Sequence, residues 1–248
     1  MSERVCLITG ASRGIGAATA RELAARGYGV VVNHRDSANA AESVADGVRA
    51  AGGEALVVQA DVTDPDAVTR LVDTTLSHWG RLDVLVHNAM APFPVTSFAD
   101  LSWEQLGAKL DQEMHAAYLL THAVLPGMID RRDGRLIYLS TGLSRRPRAG
   151  MIALGVAKAA LDSFVRYVAT EVAPHGITAN VVAPSTVEDT AVGDRLPDEL
   201  REQLAADTPM GRLARPEDVA RTVASFAGDD AGFTTGSWAP VNGGALML

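Results

Sequence analysis

Val5-Cys6-Leu7-Ile8-Thr9-Gly10-Ala11-Ser12-Arg13-Gly14-Ile15-Gly16 decides how the rest of the chain is read. Val5 to Ile8 is an apolar run short enough for one buried strand, glycines follow at Gly10, Gly14 and Gly16, and a helical pattern starts at Ala17. A strand, a tight turn and a helix N-terminus in that order suit a phosphate. The helix end offers unpaired N–H groups and positive dipole, and glycines let an anion approach the backbone without meeting Cβ atoms. The expected ligand is a dinucleotide. The glycine spacing differs from the general G-x-G-x-x-G fingerprint, and an ordinary tight turn uses glycines in the same way.

Outward from that stretch, strand and helix alternate almost to the end. Strands are expected at Val5–Ile8, Gly29–Asn33, Ala55–Gln59, Leu82–Val86, Arg135–Leu139, Ile177–Val182 and Ser237–Val241. Helices are expected at Ala17–Arg26, Ala38–Ala51, from Asp64-Pro65 to Trp79, Trp103–Arg131, Gly150–Ala173 and from Arg215-Pro216 onward. Gly107, Pro126 and Gly127 are expected to break or bend the ends of the long fourth helix. This order predicts one α/β domain over residues 1–248: a doubly wound, Rossmann-type parallel sheet of seven strands, helices on both faces, ligand at the carboxyl ends of the strands.

Composition narrows the function classes. The 248 residues carry a formal charge of −8 and no Lys/Arg run, which argues against a nucleic-acid partner and for small molecules or copies of the chain itself. No apolar run approaches the roughly twenty residues of a membrane span, and no leader precedes the first strand, so the expected location is cytoplasmic. The single cysteine, Cys6, reads as a small buried hydrophobe, which leaves no disulfide and no cysteine metal site.

The wording T-G-x-x-x-G-I-G from Thr9 to Gly16 resembles the cofactor loop of short-chain dehydrogenases/reductases, with likeness to the 3-oxoacyl-carrier-protein and enoyl reductases of that family. The resemblance continues through Asp61-Val62, Asn88-Ala89, Gly155–Leu161, Glu171–Ile177 and Asn180–Pro184. It implies a nicotinamide cofactor held by Gly10, Ser12, Arg13, Gly14, Ile15 and Gly16, by Asp61, Val62, Asn88 and Ala89 on the adenosine side, and by Lys158, Pro184 and Val187 towards the nicotinamide. Asp61 reads equally well as a turn residue. No carboxylate ends the second strand, although Asp36 follows; Arg35 stands there with Arg13 nearby, so NADP(H) is favoured over NAD(H). The plain alternative for Arg35 is a solvated turn residue.

Against the family's catalytic pattern the chain departs. The family uses a Tyr four residues before the Lys, a Ser thirteen before the Tyr and an Asn on the preceding long helix. Here Leu154 stands four residues before Lys158, and Met151 stands seven before it, where some enoyl reductases carry their Tyr. Thr141 aligns with the Ser and Glu113 with the Asn; Met90 replaces a glycine, Ser185 another, and the later threonine is displaced to Thr190. Thr141, Lys158 and Glu113 are therefore the candidate catalytic residues, with a protonated Glu113 or the Lys158 ammonium able to serve an oxyanion. His115 and His122 share a helix face, His87 reads as a satisfied buried histidine, and Tyr138 points away from Thr141. Three readings stay open: an NADP(H)-dependent reductase of a carbonyl, enone or quinone-like group; a non-redox cyclase, dehydratase or isomerase; a non-catalytic partner of an active relative. The resemblance also implies a homodimer or homotetramer through the two long helices. Arg145-Arg146-Pro147-Arg148 suits an acidic or carrier-protein-bound substrate, or a solvated loop.

Overall fold

The computed structural model describes residues 2–190 and 193–247. Its elements are β1 (Arg4–Ile8), α1 (Gly14–Ala25), β2 (Tyr28–His34), α2 (Ala38–Ala50), β3 (Ala55–Gln59), α3 (Pro65–Trp79), β4 (Val84–His87) and α4 (Trp103–Arg131). They continue with β5 (Gly134–Leu139), α5 (Ile152–Val172), β6 (Ile177–Pro184), α6 (Asp198–Ala206), α7 (Pro216–Ala227) and β7 (Trp238–Val241). The sheet runs β3-β2-β1-β4-β5-β6-β7 with every neighbouring pair parallel, as the alternating pattern predicts.

Why the central strands are largely apolar follows from the layers. Leu7, Leu85 and Leu136 point to one face, where α3, α4 and α5 cover them with Leu71, Leu120 and Leu161. Cys6, Ile8, Val84 and Val86 point to the other, under Leu23 of α1, Val44 of α2 and Val223 of α7. A strand buried on both faces has no polar positions to alternate with. Sequence order reverses between β1 and β4, which opens a crevice at their carboxyl ends.

Local chemistry sets the helix ends. Asp64 accepts hydrogen bonds from Asp66 N and Ala67 N, Pro65 opens α3 and Gly80, at φ 73°, closes it. Ser102 and Gln105 form a reciprocal cap on α4. That helix runs on through Pro126, so the expected break is absent.

Three boundaries shift in ways that touch the site. α1 begins at Gly14 rather than Ala17, because Gly16 lies against the Gly10 carbonyl and its helical turn starts inside the glycine run. β4 ends on His87, which places that side chain in the sheet. β6 extends to Pro184 through its pairing with β7. Among the described residues no helix is long and apolar enough to cross a membrane.

Candidate active site

The glycine turn is held from three sides. Thr9 Oγ1 accepts from Asn88 N at 3.0 Å and Ala89 N at 2.9 Å. Asn88 Nδ2 donates back to Thr9 O at 2.9 Å and Gly10 O at 3.1 Å. Asn33, buried at the end of β2, accepts from Gly10 N at 3.3 Å and donates to Ala60 O at 3.1 Å. Gly10 has φ 61°, and a Cβ there would lie 3.0 Å from Ala89 Cα; on Gly16 a Cβ would lie 2.6 Å from Gly10 O. Both positions therefore need glycine. At the mouth of α1, Arg13 supplies no side-chain cap and the first turn holds no acidic residue. Its amide groups and dipole are left for an anion, so the turn fits a dinucleotide pyrophosphate. Ser12 is half-buried, Ile15 packs on the core, and Thr190 Cγ2 lies over Gly14.

Beside the turn a cavity of about 170 Å³ runs past Asn33, Arg35, Asp61, Val62 and Ala89 to His87 and Glu113. Asp61 Oδ1 accepts from Thr63 N and Thr63 Oγ1, which is the turn role, while Oδ2 lies 4.0 Å from Arg35 Nη1. Arg35 is exposed and its Nε donates to Asp36 at 2.7 Å. The Asn88 amide hydrogens are taken up by the turn, so this residue braces the loop with its donors.

At the inner end lies a buried ionic cluster. Glu113 Oε2 is 2.5 Å from Lys109 Nζ and Oε1 is 2.6 Å from Lys158 Nζ. Lys109 also donates to Ala91 O at 3.0 Å and Lys158 to Leu139 O at 2.6 Å. Burial would raise the Glu113 carboxyl, but Lys158, Lys109 and His87 outweigh it and hold it at about 2. Glu113 is thus a carboxylate, and the expectation that it serves as a protonated acid is corrected. His87 Nε2 lies 4.0 Å from Glu113 Oε1, and among the described residues neither ring nitrogen has a hydrogen-bond partner. The described residues offer His87 no partner that would satisfy it; burial, opposed by Glu113 but aided by both lysines, lowers it to about 4 and keeps it neutral.

Leu154 and Lys158 share a face of α5, one turn apart, and both are buried. The sequence has four tyrosines. Tyr28 donates to Ala227 O, Tyr138 pairs with Thr121 at 2.7 Å inside the core, and Tyr118 and Tyr167 are exposed. Burial pushes the Tyr138 phenol well above its usual range, against the Thr121 hydrogen bond, which agrees with its turning away from the site. Thr141 is half-buried; its Oγ1 accepts from Leu143 N at 3.3 Å. Beside it Ser140 Oγ is buried and has no partner among the described residues.

Several candidates do not join the cluster. His115 and His122 are exposed, the latter stacked on Tyr118. Arg145 stacks on Trp238 at 4.1 Å and Arg146 donates to Ala245 O at 2.9 Å. Arg148 of that group borders a wider cavity of about 550 Å³ with Val95, Phe98 and Ile152. Pro184 ends β6, and Val187 is buried and bridges to Ala214. Lys109, Asn33 and Ser140 were missed. For Lys109 the signal was available, since a Lys four residues before a Glu shares its helix face.

The parallel seven-stranded sheet, reversed between β1 and β4, defines a doubly wound α/β protein of the Rossmann type. A family profile described as Enoyl-(Acyl carrier protein) reductase matches residues 10–245, and the chain belongs to the short-chain dehydrogenase/reductase family of oxidoreductases. It is 37% identical to a 3-oxoacyl-[acyl-carrier-protein] reductase of Synechocystis, over 100% of this chain and 99% of the relative. It is 39% identical to cis-4-hydroxycyclohexanecarboxylate dehydrogenase of Sinomonas cyclohexanicum, over 98% and 96%. Among solved structures, a double mutant of a Serratia marcescens short-chain dehydrogenase/reductase superposes with TM-score 0.90 at 32% identity, covering 98% of both chains.

Proposed function

We propose that this chain is an NADP(H)-dependent oxidoreductase that reduces a carbonyl, enone or quinone-like group, with Lys158 and Thr141 in place of a phenol at the reacting oxygen. The observation that carries the reading is Lys158 itself: buried, anchored on Leu139 O and Glu113, and one turn beyond Leu154. An ammonium has three hydrogens; two are taken up here, and the third is free for the ribose or the substrate oxygen. A nicotinamide nucleotide, when bound, supplies hydride. Gly10, Gly14 and Gly16 seat its pyrophosphate, Asp61 and Val62 border the adenine, and Arg35 takes the 2′-phosphate by exchanging its exposed pairing with Asp36. Thr141 donates a hydrogen bond to the oxygen as negative charge grows on it, the Lys158 charge stabilises that oxyanion, and solvent water supplies the proton that completes the product. Glu113, as a carboxylate, orients Lys158.

A positioned proton donor contributes roughly 10²- to 10⁴-fold, so a site without a phenol suits acceptors whose reduced anion is stable, such as enones and quinones. The names of the relatives add two classes for testing, a carrier-bound 3-oxoacyl group and a cyclic ketone bearing a carboxylate. The chain is a cytoplasmic homodimer or homotetramer on this reading, joined through the faces of α4 and α5 that expose Tyr118 and Tyr167.

The test is NADPH oxidation by the purified protein against a panel holding a 3-oxoacyl thioester, a ketocyclohexanecarboxylate, an enone and a quinone. Turnover with any of them supports the reading. Tight NADPH binding with no oxidation across the panel overturns it in favour of a non-redox enzyme or a partner subunit.

A further inference from the structure

Lys109 and Lys158 are the only lysines in the sequence; all other members of its 22 lysines and arginines are arginines. Both lie buried in one cluster, and both end on the two oxygens of one carboxylate, that of Glu113. Each has a backbone carbonyl as its second acceptor, Ala91 O for Lys109 and Leu139 O for Lys158. With His87 neutral, the formal charges sum to a single positive charge. A Glu113–Lys158 pair alone would sum to zero and would leave one buried carboxylate oxygen without a donor, which is costly inside a protein. Lysine rather than arginine fits the place: a compact ammonium reaches one oxygen and one carbonyl without the breadth of a guanidinium fork.

We propose that Lys109 is a positioning residue that cancels the charge of Glu113, so that the Lys109–Glu113 pair acts as a neutral bracket and the full charge of Lys158 faces the nicotinamide end of the nucleotide. The inference rests on the function proposed above, because it needs a nicotinamide nucleotide beside Lys158. The bracket makes Glu113 useful: it anchors Lys158 without neutralising it.

NADP⁺ carries one more positive charge on its ring than NADPH, so the net charge of the cluster is readable as the ratio of their dissociation constants, with no substrate present. Both nucleotides are titrated calorimetrically into wild type, Lys109→Met and Lys109→Met/Glu113→Gln. Lys109→Met lowers the net charge to zero, and the ratio moves roughly tenfold in favour of NADP⁺, the scale of one partly screened unit charge. The double variant restores a single positive charge and returns the ratio to the wild-type value, a non-additive result. A pair that only holds the fold together would alter stability and leave the ratio alone. An unchanged ratio in Lys109→Met, or a double variant that stays with the single one, overturns this role and leaves the oxidoreductase reading standing. A wild type that binds neither nucleotide overturns both. If Lys109→Met does not fold, Glu113→Gln is compared with the double variant: its extra positive charge moves the ratio roughly tenfold towards NADPH, and equal ratios overturn the proposal.

Discussion

Asn88 Nδ2 donates to both Thr9 O and Gly10 O, which fastens the end of β4 to the glycine turn at the mouth of α1. A Cβ on Gly16 would lie 2.7 Å from that same nitrogen and 2.6 Å from Gly10 O. Gly16→Ala therefore pushes α1 off the turn. The expected loss is roughly 1–3 kcal/mol of unfolding free energy, seen in urea titration, together with weaker NADPH binding. Gly47→Ala is the control: a Cβ there meets nothing within 4 Å, and the exposed helix gains up to about 1 kcal/mol.

Glu113 links stability to acid pH. Its folded carboxyl sits at about 2 against an ordinary 4.5. As pH falls the unfolded chain takes up the proton first, so the stabilisation is full above pH 4.5 and is lost as pH drops towards 2. Glu113→Gln removes this dependence, and at neutral pH it leaves two buried ammonium groups without their counter-charge, at a cost of about 3–5 kcal/mol. Urea midpoints of wild type and variant between pH 5 and 2 check both effects; parallel profiles contradict them.

His87 gives a second window. Its ring is lowered from 6.5 to about 4, so the folded state keeps it neutral while the unfolded state protonates. Stability contributed above pH 6.5 should decline as pH falls from 6.5 to 4, and His87→Leu should flatten that part of the profile. The ring signal of His87 in an NMR titration should move near pH 4; a midpoint near 6.5 contradicts the burial argument.

Arg35 tests the choice of nucleotide. Its guanidinium is exposed at the end of β2, beside the cavity that reaches Asp61. Arg35→Ala should weaken NADPH roughly 10- to 100-fold, the effect of losing about 1.5–3 kcal/mol from a charged hydrogen bond. NADH binding should stay within twofold or so of wild type, as measured by competitive titration. Equal losses for both nucleotides would mean that Arg35 does not touch the 2′-phosphate.

The sheet was legible because each strand is a short apolar run between turn residues, and Asp64-Pro65 and Ser102 mark helix starts by local chemistry. The glycine turn was legible for the same reason. The ionic cluster was less so. Glu113 and Lys158 were singled out only by alignment to a known pattern, and their pairing across 45 residues is a tertiary fact that no local spacing encodes. The Glu113 protonation state depends on Lys158 and on Lys109, which periodicity assigns to α4 without saying that its ammonium turns inward. The unpaired state of His87 likewise depends on what α4 presents to β4, and that is decided by packing.

The central claim is that the chain retains a nucleotide grip and lacks the phenol that would protonate the product. The most direct measurement is the rate of NADPH oxidation with a simple ketone by wild type and by Leu154→Tyr at matched, saturating nucleotide. The tyrosine variant should gain roughly 10²- to 10⁴-fold over a slow wild type, with both binding NADPH alike. A wild type already as fast as the variant, or one that does not bind NADPH, contradicts it.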